Sequence, residues 1–186
     1  MPDLELIEHL SELRREFDGS FARRPAPGRE APDELLTITV GAERYAVRLG
    51  AIFGLFLDRP VTALPGGLPG LLGVAGFRSS IVAVHDLATW LGGTAQQPHW
   101  LMLTANRPVI ALAFDAVLGR LQVPRSAVAP SRLLAGGRGR YISETVHTGA
   151  GPCPVIDIAA VHASVVHQVG QFRPAGSGTG TEPAGE

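Results

Sequence analysis

Leu72 to Leu87 read LGVAGFRSSIVAVHDL. A small apolar strand opens this stretch, Gly76-Phe77-Arg78-Ser79-Ser80 interrupts it, and Ile81-Val82-Ala83-Val84 resumes it. Asp86 follows, and the helical pattern Leu87-Ala88-Thr89-Trp90-Leu91 is then stopped by Gly92-Gly93. An aspartate at that point can accept the orphan N–H groups of the helix it starts. Around Asp157 the chain does this again, in Pro154-Val155-Ile156-Asp157-Ile158-Ala159-Ala160-Val161. The repeated strand–Asp–helix unit predicts two similar halves, an organisation that suits a scaffold better than an active site.

On either side of this stretch the pattern is one of short strands separated by turns. Leu35–Val40 and Arg44–Leu49 flank Gly41-Ala42-Glu43, a short hairpin connection. Ala51–Leu57 is interrupted by Gly54, and Leu71–Gly76 with Ile81–His85 complete five strands before the helix at Asp86. The second half is predicted at Trp100–Thr104, Val109–Phe114, Val117–Val123, Arg140–Thr145 and Cys153–Ile156, with Asp157 starting a closing helix. Gly119 corresponds loosely to Gly54. Strands this short and regular predict an all-β protein with short helices, built from barrels that hide their sheet edges.

Ahead of the strands, residues 3–18 predict an amphipathic helix, with Leu6, Leu10, Leu13 and Phe17 on one face and Asp3 as its cap. Pro25, Pro27 and Pro32 mark a linker. The expected organisation is therefore helix and linker over 1–33, the β domain over 34–169 in halves of roughly 34–98 and 99–169, and a disordered tail over 170–186.

Composition narrows the functional classes. Hydrophobic residues make up 45% of the chain and charged residues 18%, enough apolar surface for a sizeable core. The formal net charge of −1 gives no electrostatic case for phosphate backbones. No apolar run approaches the roughly 18–20 residues that span a bilayer, and the start of the chain is acidic where a secretory signal is basic, so a cytoplasmic location is expected. Cys153, the one cysteine, reads as a small core residue.

These residues resemble the CheW-like domain of bacterial chemosensory systems. The family's usual run is Gly-Val, then Asn-Leu-Arg-Gly, then an apolar strand closing on Asp-Leu. The matching residues are Gly73-Val74, Gly76-Phe77-Arg78-Ser79, Ile81 to Val84 and Asp86-Leu87. Ile38 to Val47 looks like the family's opening hairpin, and the turn from Leu64 to Gly70 stands in the expected place. The resemblance runs from about Leu35 to Val166. Gly76 and Ser79 replace the usual asparagine and glycine, Ala83 a common proline, and Gly54 a frequent glutamate.

The resemblance implies two SH3-like five-stranded barrels side by side, to which the N-terminal helix is an addition. It also implies a non-enzymatic adaptor between a chemoreceptor's cytoplasmic tip and the regulatory domain of a CheA-type histidine kinase, without cofactor or metal. Arg78, Phe77, Gly73 and Ile52 are the implied receptor-side residues. Two alternatives stay open: a diverged scaffold that recruits another signalling or cytoskeletal partner, and a small β-barrel enzyme or nucleic-acid-binding module.

Read without the resemblance, Arg78 is a solvated or internally bonded turn arginine, and Phe77 is expected to be exposed at a turn tip. Phe53, Phe56, Trp90 and Trp100 read as core. Ser79 or Ser80 with His85 and Asp86 superficially offers a triad, but adjacent His85 and Asp86 point to different sides and an N-cap accounts for the aspartate. The histidines show no metal spacing and read as surface residues. Gly136-Gly137-Arg138-Gly139 reads as a mobile loop rather than a phosphate cradle.

Overall fold

The structure, a computed structural model, describes residues 32–64, 68–78, 80–93, 98–131 and 137–171. The expected N-terminal helix and nearly all of the linker and tail lie outside them. Eleven strands are present among the described residues: β1 (Asp33–Val40), β2 (Glu43–Arg48), β3 (Ile52–Leu57), β4 (Leu71–Phe77), β5 (Ser80–Asp86), β6 (Trp100–Thr104), β7 (Ala111–Phe114), β8 (Ala116–Val123), β9 (Val128–Pro130), β10 (Ile142–Thr148) and β11 (Gly151–Ile156). Two α-helices accompany them, α1 (Leu87–Trp90) and α2 (Ile158–Gln171).

The strands make a six-stranded sheet, ordered β8-β1-β2-β11-β10-β9, and a five-stranded sheet, ordered β3-β6-β7-β5-β4. This is the expected two-part β architecture, with two differences. One sheet has a sixth strand, β9, whose sequence Val-Ala-Pro between Ala127 and Ser131 is too short and too proline-marked to read as one. The halves expected at 34–98 and 99–169 also interleave: β1 and β2 join the sheet of β8 to β11, while β6 and β7 join the sheet of β3 to β5. Two parallel pairings make the exchange, Val155–Ala46 and Ile156–Val47 in one sheet, and Val84–Ala111 through Asp86–Ala113 in the other.

Alternation along the strands sorts side chains into three packed groups. In β1, Leu35 turns into the six-stranded sheet with Ala46, Val146 and Cys153, whereas Leu36 and Ile38 turn toward the other sheet. In β7, Ala111 and Ala113 face the interior of the five-stranded sheet, and Leu112 and Phe114 face the shared core. Both faces of β7 are thus covered, which explains its unbroken apolar run. Leu87 and Leu91 near α1, and Ile158, Val161 and Val165 of α2, fill the shared core.

The two helix starts follow the sequence closely. The Asp86 carboxylate accepts the backbone N–H of Ala88 (3.1 Å) and Thr89 (3.0 Å) and the Thr89 hydroxyl (2.6 Å). Asp157 Oδ1 accepts the N–H of Ala160 at 3.0 Å. Residues Gly137–Tyr141 form a short 3₁₀ helix, which takes in most of the expected mobile loop and the first two residues of the strand expected from Arg140.

Candidate functional site

The central hairpin is tighter than its sequence suggests. Rather than breaking across five residues, β4 runs through Phe77 and β5 begins at Ser80, with Phe77 paired to Ser80, so the connection is two residues long and opens with Arg78. Arg78 has φ +51° and is exposed. A two-residue hairpin needs positive φ at its first central position, and the sheet's twist holds Arg78 there at a cost of about 1 kcal/mol. The guanidinium is consequently presented outward on a fixed turn.

Phe77 departs from expectation. As the last residue of β4 rather than a turn residue, it follows Gly73 and Ala75 onto the inner face, and it is only 6% exposed. Its ring meets Phe56 of β3 edge-on, centroids 4.8 Å apart. β3 and β4 are the two edges of the five-stranded sheet and are not hydrogen-bonded to each other. The aromatic pair therefore bridges them where backbone pairing does not.

Between these edges lies a cleft of about 230 Å³. Phe53, Phe56 and Phe77 line it together with Val82, Leu103 and Val109, and Arg78 and Ser80 stand among the lining residues as its polar members. Phe53, expected in the core, is 77% exposed. Ile52 pairs with Thr104 and Gly54 with Leu103, so Phe53 is the extra residue of a β-bulge, which re-aims its side chain outward. The matching irregularity in the other sheet sits at Leu118, 48% exposed and followed by Gly119. Ile81 is 79% exposed because its cross-strand neighbour, Gly76, has no side chain to cover it.

The four residues singled out by resemblance are placed differently. Arg78 and Phe77 meet at the cleft. Gly73 lies buried behind it on β4, and Ile52 is half-buried against the shared core at the start of β3; neither lines the cleft. Sequence reasoning missed Phe53, Ile81 and Arg59. A glycine inside a strand signals a bulge, so Gly54 was the available clue to Phe53.

Asp58, at φ +48°, follows β3. Its N–H donates to the His99 carbonyl at 2.7 Å, and its carboxylate lies 3.0 Å from His99 Nδ1. Arg59 follows, its Cζ 5.5 Å from the Phe56 centroid and 5.6 Å from that of Phe77.

His85 and Asp86 do not form a triad. The aspartate is committed to α1, and the His85 ring is 2% exposed with neither nitrogen hydrogen-bonded among the described residues. Burial pushes its pKa down. The expectation of surface histidines fails here and at His162, which is 6% exposed with its Nε2 2.7 Å from the Pro108 carbonyl oxygen. Cys153 is buried as expected, and burial pushes its thiol pKa up. No cluster of three metal-ligating side chains occurs among the described residues, nor is any described helix long and apolar enough to cross a membrane.

Comparison with known proteins follows the same outline. A relative from Rhizobium etli, described as "Probable chemotaxis protein CheW", is 28% identical over 102 residues, covering 53% of this chain and 66% of the relative. The chain thus spans just under two thirds of that protein's length. The crystal structure of scaffolding protein TtCheW from Thermoanaerobacter tengcongensis superposes with a TM-score of 0.61 at 16% identity, over 67% of this chain and 88% of the other. That likeness is one of fold. Residues 34–166 match the CheW-like domain, and the chain belongs to that family.

Proposed function

We propose that this chain is a non-enzymatic chemosensory adaptor that couples the cytoplasmic tip of a chemoreceptor to the regulatory domain of a CheA-type histidine kinase. The observation that carries this reading is the exposed apolar surface around Arg78. Phe53 lines the cleft with the turn arginine, and Ile81 follows that turn on β5; both are more than three quarters exposed. Large exposed apolar side chains beside a fixed guanidinium suit protein contact, and aromatic and arginine residues dominate such contacts. Family membership supplies the chemosensory context.

In this reading Arg78 touches the receptor, using a planar fork of donors that suits carboxylates and backbone carbonyls. Phe77, Gly73 and Ile52 act by holding the hairpin and β3 in place. The adaptor changes kinase output only by binding one arrangement of receptor and kinase better than another. The site of action is cytoplasmic, where receptor tips and such kinases meet.

A second reading, a scaffold for a different signalling or cytoskeletal partner, is favoured by the glycines at 54 and 76, which leave the surface flatter and less charged than the family's usual side chains would. Titration of the purified full chain against the receptor tip and the kinase regulatory domain, with wild type and Arg78→Glu side by side, separates the two. Binding of wild type to both, with the variant failing on the receptor alone, supports coupling. Wild type binding neither refutes it.

A further inference from the structure

Arg59 is placed by the fold rather than left to wander. β3 ends at Leu57, Asp58 takes a left-handed conformation pinned through its N–H and carboxylate to His99, and Pro60 restricts the chain immediately beyond. Between these two constraints the Arg59 guanidinium lies against Phe56 and Phe77, the aromatic pair that bridges the open edges of the sheet. An arginine stacked on rings keeps its N–H edges free for a carboxylate.

Arg78 lines the cleft that these rings help form, and Arg59 adjoins it through the rings. Among the described residues neither arginine makes an ion pair, and no carboxylate lines the cleft. The nearest acid in sequence, Asp58, is engaged with His99. The apolar cleft thus has one cation in its lining, Arg78, and a second, Arg59, over the rings of two lining residues, and among the described residues no acid pairs with either. Its volume of about 230 Å³ falls below the roughly 300 Å³ at which small-molecule pockets begin, and suits a protruding side chain better than a cofactor. With a formal net charge of −1, the chain as a whole is a poor match for a polyanion.

We infer that the cleft receives a segment of a partner protein that presents an aliphatic side chain flanked by carboxylates, and that Arg59 sets this preference. The inference deepens the adaptor reading, on which it rests only in taking the occupant to be a protein. The aliphatic group fills the space between Phe53, Phe56 and Val82, and the flanking carboxylates meet Arg59 and Arg78. Charge complementarity of this kind chooses among partners more than it adds raw affinity.

The test uses the full chain and two labelled, alanine-based helical peptides. Both carry one leucine; one flanks it with glutamates on the same face, and its twin carries lysines instead. In fluorescence anisotropy at low salt, the glutamate peptide is expected to bind about tenfold more tightly. Arg59→Glu should reverse that order, and Arg59→Lys should keep it while narrowing the gap. Arg59 is exposed, so a matching thermal melt establishes that each variant is folded. Equal affinity for the twins, absence of saturable binding by either, or an unchanged order in Arg59→Glu overturns the inference. So does concentration-dependent self-association that Phe53→Ser abolishes, since it would assign the cleft to a second copy of the chain. Retained binding of receptor tip and kinase domain alongside any of these leaves the adaptor reading standing while this one falls.

Discussion

Gly73 approaches the backbone of Thr62 so closely that a β-carbon on it would lie 2.1 Å from the Thr62 carbonyl oxygen. The approach is held by paired hydrogen bonds, Thr62 N–H to the Val74 carbonyl at 2.8 Å and Val74 N–H to the Thr62 carbonyl at 2.9 Å. These bonds cover part of the outer edge of β4. Gly73 also has φ +146°, which side chains rarely adopt. Gly73→Ala should therefore lower stability by more than about 2 kcal/mol in chemical denaturation, because the obstacle is backbone and the conformation is strained. A loss below about 0.5 kcal/mol would mean that the 62 segment is free to move away.

His85 gives the fold a dependence on pH. Its pKa is lowered in the folded state by burial, from an ordinary value of 6.5. The unfolded chain then binds more protons than the folded one once pH falls below 6.5. Stability should be full above that value and decline as pH drops toward the folded-state pKa, by at most about 1.4 kcal/mol per pH unit for one group. His85→Leu should remove this component, so that wild type and variant diverge on acidification and run parallel above neutrality. Parallel curves throughout denaturation series from pH 7.5 to 5 would refute it.

Asp86 caps a helix of a single turn, and three donors converge on its buried carboxylate. Asp86→Ala should cost about 1–2 kcal/mol, and Asp86→Asn should recover part of that by still accepting a backbone N–H. Equal losses in the two variants would show that charge rather than capping is what matters there.

Arg48 joins three strands, meeting Asp33 at 2.7 Å and Glu144 at 2.6 Å. The Asp33 and Glu144 bonds raise its pKa. Its side chain is nonetheless 40% exposed, so solvent screens both contacts. Arg48→Met should change stability by less than about 1 kcal/mol, a smaller effect than that of Gly73→Ala despite the two ion pairs. A larger loss in thermal melts would indicate a cooperative network.

Phe53 supplies a test of surface against core. Because its ring is 77% exposed, Phe53→Ser should leave the melting temperature within a few degrees of wild type while weakening partner binding at least tenfold. A substantially lowered melting temperature would return Phe53 to a structural role.

Much of the fold was legible because local rules and the global structure agree. Asp86 and Asp157 announced the helix starts, and Trp100–Thr104 announced a strand with the bounds it has. What sequence could not supply was register. Moving the turn by one residue carried Phe77 from a solvent-facing tip to the inner face, and one bulge carried Phe53 the opposite way, since side chains alternate strictly between faces. The interleaving of the sheets was hidden for a different reason: parallel pairing of β2 with β11 joins residues far apart in the chain, and no local pattern encodes it. Arg78 was found through resemblance, whereas Arg59 became visible only when Phe56 and Phe77 came together in space.

The parallel pairing of Ala46 with Val155 also sets a schedule. During synthesis β1 and β2 emerge ahead of the other described strands, yet the outer edge of β2 stays unoccupied until β11, the last of them, has left the ribosome. Until then the growing chain exposes an edge able to capture a foreign strand. The closing contact spans most of the domain, so assembly should be slow by the standards of small domains. Until β11 docks, the nascent chain therefore carries an exposed backbone edge that the finished sheet encloses between two strands.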